Sequence, residues 1–170
     1  DARQTAEAER RLARLRDVYS RLHRATPAGE RQALLVELIT DPTTPLALLG
    51  FELGERELLN ARGLGAEIAD AARSRLRSET PVLREGAASL LRSMGDAASA
   101  SIAVGALAEE RDPSARLALL RLAALDPTER GAAIAAGLLD GTPVMSRAAA
   151  DYLAAAAAKE LEVPRVYDNA

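Results

Sequence analysis

The 170-residue chain has no cysteine, no tryptophan, and only one phenylalanine and one histidine. Without cysteine there is no disulfide, no thiolate nucleophile and no Cys-based metal site, although that absence selects no compartment. The aromatic residues are only Tyr19, Phe51, Tyr152 and Tyr167, too little bulk for a β-sandwich core. Long apolar runs are also missing. The longest, such as Ala154 to Ala158, fall far short of the ~20 residues a membrane span needs. A soluble chain with no membrane span is therefore expected. Lysine is nearly absent too: Lys159 is the only one among 22 Lys+Arg residues. With the alanine content, that bias points to a GC-rich, bacterial genome rather than to a chemical task.

What is abundant is alanine, more than one residue in five, together with leucine. Both favour helix, so an all-α chain is expected. A chain of this length suits one domain, burying roughly 70% of the surface its unfolded form exposes. It opens on Asp1 rather than Met, and we expect a processed chain or a domain of a larger protein.

Proline punctuates the helices. Pro27, Pro42, Pro45, Pro81, Pro113, Pro127 and Pro143 each follow Thr or Asp. A side-chain oxygen at the N-cap accepts an unpaired backbone N–H, and proline at the next position forfeits no helical bond. Asp126-Pro127-Thr128-Glu129 adds a capping-box glutamate three residues after its expected cap, Asp126. Between these marks the apolar spacing is helical: Leu83, Ala87, Leu90, Leu91 and Met94 make one stripe. Ala115 to Leu125 is apolar nearly all round and is expected to lie between neighbours. The expected elements are a long helix over 3–25, then pairs at 28–40 with 45–60, 64–77 with 81–94, 97–110 with 113–125, and 128–139 with 143–159. This divides the chain into an N-terminal amphipathic or capping helix (1–27), a helical array (28–159) and an extended tail (160–170).

The prolines opening the second helices, Pro45, Pro81, Pro113 and Pro143, recur every thirty to thirty-six residues. A recurring helix pair of that length is the mark of an α-solenoid. Here the chain resembles the HEAT-like repeat family, through P-V-L-R-x-x-A-A-x-x-L at 81–91. Pro113-Ser114-Ala115-Arg116 keeps the arginine, and Ala149, Ala150 and Leu153 return in the last unit with the arginine one place on, at Arg147. The resemblance implies a right-handed α-α superhelix of about four helix pairs, with an armadillo-type fold. It also implies that the recurring arginines bond acids or carbonyls between neighbouring repeats, with Asp112 a partner for Arg116.

A second role for these arginines follows if the second helices line the concave face. Arg84, Arg92, Arg116, Arg121 and Arg147 then outnumber Glu85 and Asp151 there, giving a net basic groove for an acidic peptide or protein partner. The N-terminal helix offers another surface. Thr5, Ala8, Leu12, Leu15, Tyr19 and Leu22 alternate spacings of three and four, a short heptad seam. Leu12, Leu15, Tyr19 and Leu22 either cap the array or mediate self-association as a homodimer.

Other chemistry has little to stand on. His23 is a lone histidine in an Arg-rich helix, with no triad partner or metal ligand near it in sequence. Gly63-Leu64-Gly65 is read as a turn between helices, and Glu109-Glu110-Arg111-Asp112 as a solvated helix end. No metal and no cofactor are expected. A pI near 5.3 without tryptophan opposes nucleic-acid binding. The expected function is a non-enzymatic protein-interaction or scaffold module. The alternative is a structural spacer or oligomerisation element, and a lyase-like or other enzymatic HEAT-repeat protein ranks last.

Overall fold

A computed structural model describes residues 2–23 and 27–163, and the side chains of these except 2–4, 8, 22 and 23. Among the described residues there are nine α-helices and no strand. They are α1 (Ala2–His23), α2 (Ala28–Ile39), α3 (Thr44–Leu59), α4 (Ala66–Arg75), α5 (Pro81–Ser93), α6 (Ala100–Glu109), α7 (Pro113–Ala123), α8 (Glu129–Ala136) and α9 (Pro143–Ala158). A 3-10 turn at Ala97–Ser99 leads into α6. No described helix is long and apolar enough to cross a membrane.

Each first helix packs on the second helix that follows it: α2 on α3, α4 on α5, α6 on α7, α8 on α9. The second helices also pack on one another in order, α3 on α5, α5 on α7 and α7 on α9. That arrangement is compatible with a helical repeat. The stripe expected on α5 is the buried one, with Leu83, Ala87, Leu90 and Leu91 in the core and Met94 half-buried at its end. α7, apolar apart from Ser114, Arg116 and Arg121, lies between α5, α6 and α9, which accounts for its wide apolar surface.

Proline sits in the first turn of α3, α5, α7 and α9. Asp112 caps α7 by accepting the N–H groups of Ser114 and Ala115, both at 3.0 Å. Thr142 accepts the N–H of Met145 at the start of α9. The capping box expected at Asp126 is shifted. Thr128 is the N-cap of α8 and accepts the N–H of Gly131, while Asp126 pairs with Lys159 at 2.5 Å. The helix also stops at Ala136 rather than 139, and residues 137–140 continue as turns toward Pro143.

With few aromatics, helices must approach closely to exclude water, and glycine allows it. A Cβ on Gly50 of α3 would lie 2.8 Å from the Ile39 backbone nitrogen of α2, and one on Gly86 of α5 would lie 2.5 Å from the Phe51 ring of α3. The chain's one phenylalanine is thus seated on a glycine of the next helix pair. Tyr152 is fully buried, and its hydroxyl accepts the Thr128 N–H at 3.0 Å, tying α9 to the start of α8.

On the N-terminal helix the described residues turned to the helical body overlap the expected stripe only at Leu15. Val18, outside the expected seam, is its one buried side chain among those described, at 3% exposure, with Leu15 partly buried. Leu12 and Tyr19 are each 50% exposed, and the Leu22 side chain lies outside the described residues. The helix turns the Leu15–Val18 side inward because Arg14 and Arg21, on that same side, reach Glu37 and Asp41.

Two glycines test the packing in opposite directions. Gly50→Ala meets backbone that cannot give way, and should cost about 1–3 kcal/mol as overpacking. Gly105→Ala in α6 meets nothing within 4 Å, and should stabilise by about 0.5–1 kcal/mol through lower unfolded-state entropy. Urea unfolding of the two variants against the parent chain measures both.

Candidate functional site

Two of the four turns inside the helix pairs are built around acids. Asp41 stands four residues before Pro45, and its Oδ1 accepts the Thr43 N–H at 2.8 Å and the Thr43 hydroxyl at 2.6 Å. Glu110 stands three residues before Pro113, and its Oε1 accepts the N–H groups of Arg111 and Asp112, both at 2.9 Å. Both acids are buried. An arginine from another helix then reaches each turn. Arg75, the last residue of α4, donates to the carbonyls of Ile39 at 2.8 Å and Asp41 at 2.6 Å. Arg84 of α5 forks onto Glu110, with Nε 2.5 Å from Oε2 and Nη2 2.7 Å from Oε1. Its Nη1 donates to the carbonyls of Ser78 and Glu79, so every guanidinium nitrogen is engaged.

Glu110 therefore corrects the expectation of a solvated helix end: it is an anchor between α5 and the α6–α7 turn. The Arg84 hydrogen bond is the main cause holding its carboxyl below the ordinary value, and the Asp112 and Arg111 N–H groups add to it against the opposing effect of burial. Asp96, after α5, repeats the pattern with Arg73 of α4 at 2.9–3.0 Å and Ser99. Burial pushes its carboxyl up, but the bonds from Arg73 and Ser99 prevail and hold it low. Such bonds are between elements far apart in sequence, which is why periodicity alone did not expose them. At Asp41 and Glu110 the acid stands three or four residues ahead of the proline that opens the second helix, but Asp140 stands three ahead of Pro143 without such a bond among the described residues, so the spacing alone did not identify them.

The other recurring arginines fall in different settings. Arg116 is half-buried, and its buried Nε has no hydrogen-bond partner. Asp112, the acid expected beside it, caps α7 instead. Arg147 is exposed on α9. Arg92 and Arg121 are exposed, occupy the last turns of α5 and α7, and come together at two adjoining hollows. One, of about 510 Å³, is lined by Glu55, Leu58, Leu59, Arg92, Ser93 and Leu125. The other, of about 480 Å³, shares Arg92 and Leu125 and adds Arg121, Ala124, Ala148 and Asp151. The pair forms one groove across α3, α5, α7 and α9. Its apolar anchors, Leu59 at 87% exposure and Leu125 at 38%, were not singled out from the sequence. Glu55 and Asp151 on the rim match the two arginines in number, so the lining is of mixed charge and not net basic.

A larger hollow of about 760 Å³ lies between the α4–α5 turn and α6, backed by Arg84 and Glu110. Those two groups satisfy each other, leaving Arg77, Ser101 and Glu109 as its remaining polar lining. Among the described residues no group of three His, Cys, Asp or Glu side chains could hold a metal ion. The His23 side chain lies outside the described residues.

Removing one partner of a buried ion pair strands the other, so Arg84→Ala should cost about 3–5 kcal/mol in urea unfolding. Arg84→Lys should lie between it and the parent, because it keeps the charge and loses the fork. The acid side follows from linkage. With Glu110 and Asp96 held low, the unfolded chain binds more protons than the folded one as pH falls through the ordinary carboxylate range near ~4. The stability these two carboxylates contribute is complete above that range and is lost as pH falls below it. Glu110→Gln should lower stability at pH 7 yet flatten its decline between about pH 5 and 3, as followed by helical circular dichroism.

No protein-family model, no curated protein and no solved structure matches the chain, and its function has to be read from its own geometry.

Proposed function

We propose that this chain is a non-enzymatic protein-interaction module, a HEAT-like right-handed superhelix that binds a partner segment across the ends of its second helices. The ordered packing of α3, α5, α7 and α9 supports the superhelical reading. The observation that carries the binding reading is the grouping of Leu58, Leu59 and Leu125 in one hollow beside Arg92, with Leu59 87% and Leu125 38% exposed. Arg92 and Arg121 form no ion pair or side-chain hydrogen bond among the described residues, so both are available to a partner's carboxylates. The groove fits a segment that sets an apolar side chain between Leu59 and Leu125 and acids against the arginines. Apolar anchors and arginine are the residue types from which binding hot spots are built.

A second reading, an oligomerisation or spacer element, draws on α1, whose Leu12 and Tyr19 present apolar surface outward. It places the contact on α1 alone and leaves the groove without a role.

Cross-linked capture of partners, quantified by mass spectrometry, separates the two. Under the binding reading, Leu59→Glu and the pair Arg92→Glu with Arg121→Glu reduce specific capture at least about tenfold, the equivalent of ~1.4 kcal/mol. Arg147→Glu, outside the groove, leaves it unchanged. Capture insensitive to the groove variants, with self-association lost on Leu12→Glu and Tyr19→Glu, would establish the second reading instead.

A further inference from the structure

The chain leaves α9 beside the Leu59–Leu125 groove. Glu160 is left-handed, with φ 58°, its N–H donates to the Ala157 carbonyl at 3.0 Å, and the Leu161 N–H donates to Ala156 at 3.1 Å. That pair of bonds closes the helix and turns the chain off its axis. Lys159, just before the turn, donates from Nζ to Oδ1 of Asp126 at 2.5 Å and to the Pro127 carbonyl at 3.4 Å. Asp126 directly follows Leu125, which lines both hollows of the groove. Leu161 and Val163 are partly buried against the core, so the chain still lies on the helical body at residue 163.

Residues 164–170, Pro-Arg-Val-Tyr-Asp-Asn-Ala, lie outside the described residues. Seven residues reach at most roughly 23–25 Å, more than two of the ~8–10 Å spacings between packed helices. Their order of chemistry matches the groove read from α9 toward α3. The groove presents Asp151 on α9, then Arg121 and Leu125 at the end of α7, then Arg92 on α5, with Leu59 of α3 beyond. The segment presents Arg165, then Val166 and Tyr167, then Asp168. Proline favours the polyproline course, whose three-residue repeat sets Arg165 and Asp168 on one side about 9 Å apart. One helix spacing, the step from Asp151 to Arg121, is of the same size.

We propose that residues 164–168 are the internal occupant of this groove. Arg165 pairs with Asp151, Asp168 lies against Arg121 and Arg92, and Tyr167 sits between Leu125 and Leu59. Glu55, on α3 at the far rim, stands beyond Asp168 in this register. The two arginines have no other ion pair among the described residues, so the segment supplies the acid they lack. Contacts so few are individually weak, but the tether holds the segment at an effective concentration on the order of millimolar. A partner segment must then displace it, which makes release of the segment the step that opens the site. This inference rests on the reading of the groove as a binding surface.

The chain has no tryptophan, so Tyr167→Trp places a single reporter in the segment. In the full chain its emission should lie to the blue of a peptide of residues 160–170 carrying the same substitution. Acrylamide should quench it at least about threefold less than the peptide, as when the groove is occupied most of the time. Leu59→Glu alters an exposed side chain and should return both readings to those of the peptide, as should Asp168→Arg. Adding Arg92→Glu with Arg121→Glu to Asp168→Arg should restore the shielding, with circular dichroism confirming that each variant remains helical. A peptide-like tryptophan in the full chain, or shielding that neither Leu59→Glu nor the charge exchange alters, would overturn the proposal. So would shielding that grows with chain concentration, since the occupant would then be a second copy. The groove reading is judged apart from this: an unshielded tryptophan together with partner capture lost on Leu59→Glu removes the internal occupant and keeps the groove.

Discussion

Glu110 is the interaction on which the middle of the molecule depends. One carboxylate, only 3% exposed at its side chain, fixes the turn between α6 and α7 through two backbone N–H groups and receives both arms of Arg84 from α5. That single group links the local problem, a turn whose backbone donors must be satisfied away from water, to the tertiary one, the placing of one helix pair on the next. In the first pair the Asp41 carboxylate holds its turn through Thr43, and Arg75 of α4 reaches the same turn at the backbone carbonyls of Ile39 and Asp41. Between these points the helices are joined by alanine, leucine and close glycine contacts, which pack densely but carry little directional information. The arginine bonds supply the direction.

How the sequence maps to this arrangement varies with the range of the interaction. Helix starts were legible because a cap and a proline act within four residues, and Pro45, Pro81, Pro113 and Pro143 all lie in the first turn of their helices. Where two caps competed, at Asp126 and Thr128, local rules could not decide. The choice fell to Thr128 because its backbone N–H is also held by Tyr152, a contact twenty-four residues away, while Asp126 is drawn to Lys159. The α1 seam shows the same limit. Leu12 and Tyr19 satisfied a heptad, but the acids of α2 turned the helix so that Val18 faced inward.

The recurring arginines divide along this line. Arg84 was legible as a structural bond between units but not with its true partner, because Glu110 sits in a run of charges that reads as solvated. Arg92 and Arg121 were legible as surface cations, yet the leucines that give their groove an apolar floor were hidden among many others. Exposure is not a property of a leucine in a sequence. It depends on where its helix ends, and α3 ends at Leu59, beyond the reach of its neighbours.

Native-state hydrogen exchange at the amides of Arg111 and Asp112 tests the central claim, that the acid-centred turn is one cooperative unit with the helices it joins. These amides lie in a short connection outside the helices, a class of backbone whose exchange is ordinarily fast. If Glu110 and Arg84 bind the turn into the body, both amides should be protected to the level of the buried backbone of α5 and α7 and open only with it. Exchange at the rate of a free turn, while α5 and α7 remain protected, would show that the carboxylate decorates the junction without holding it.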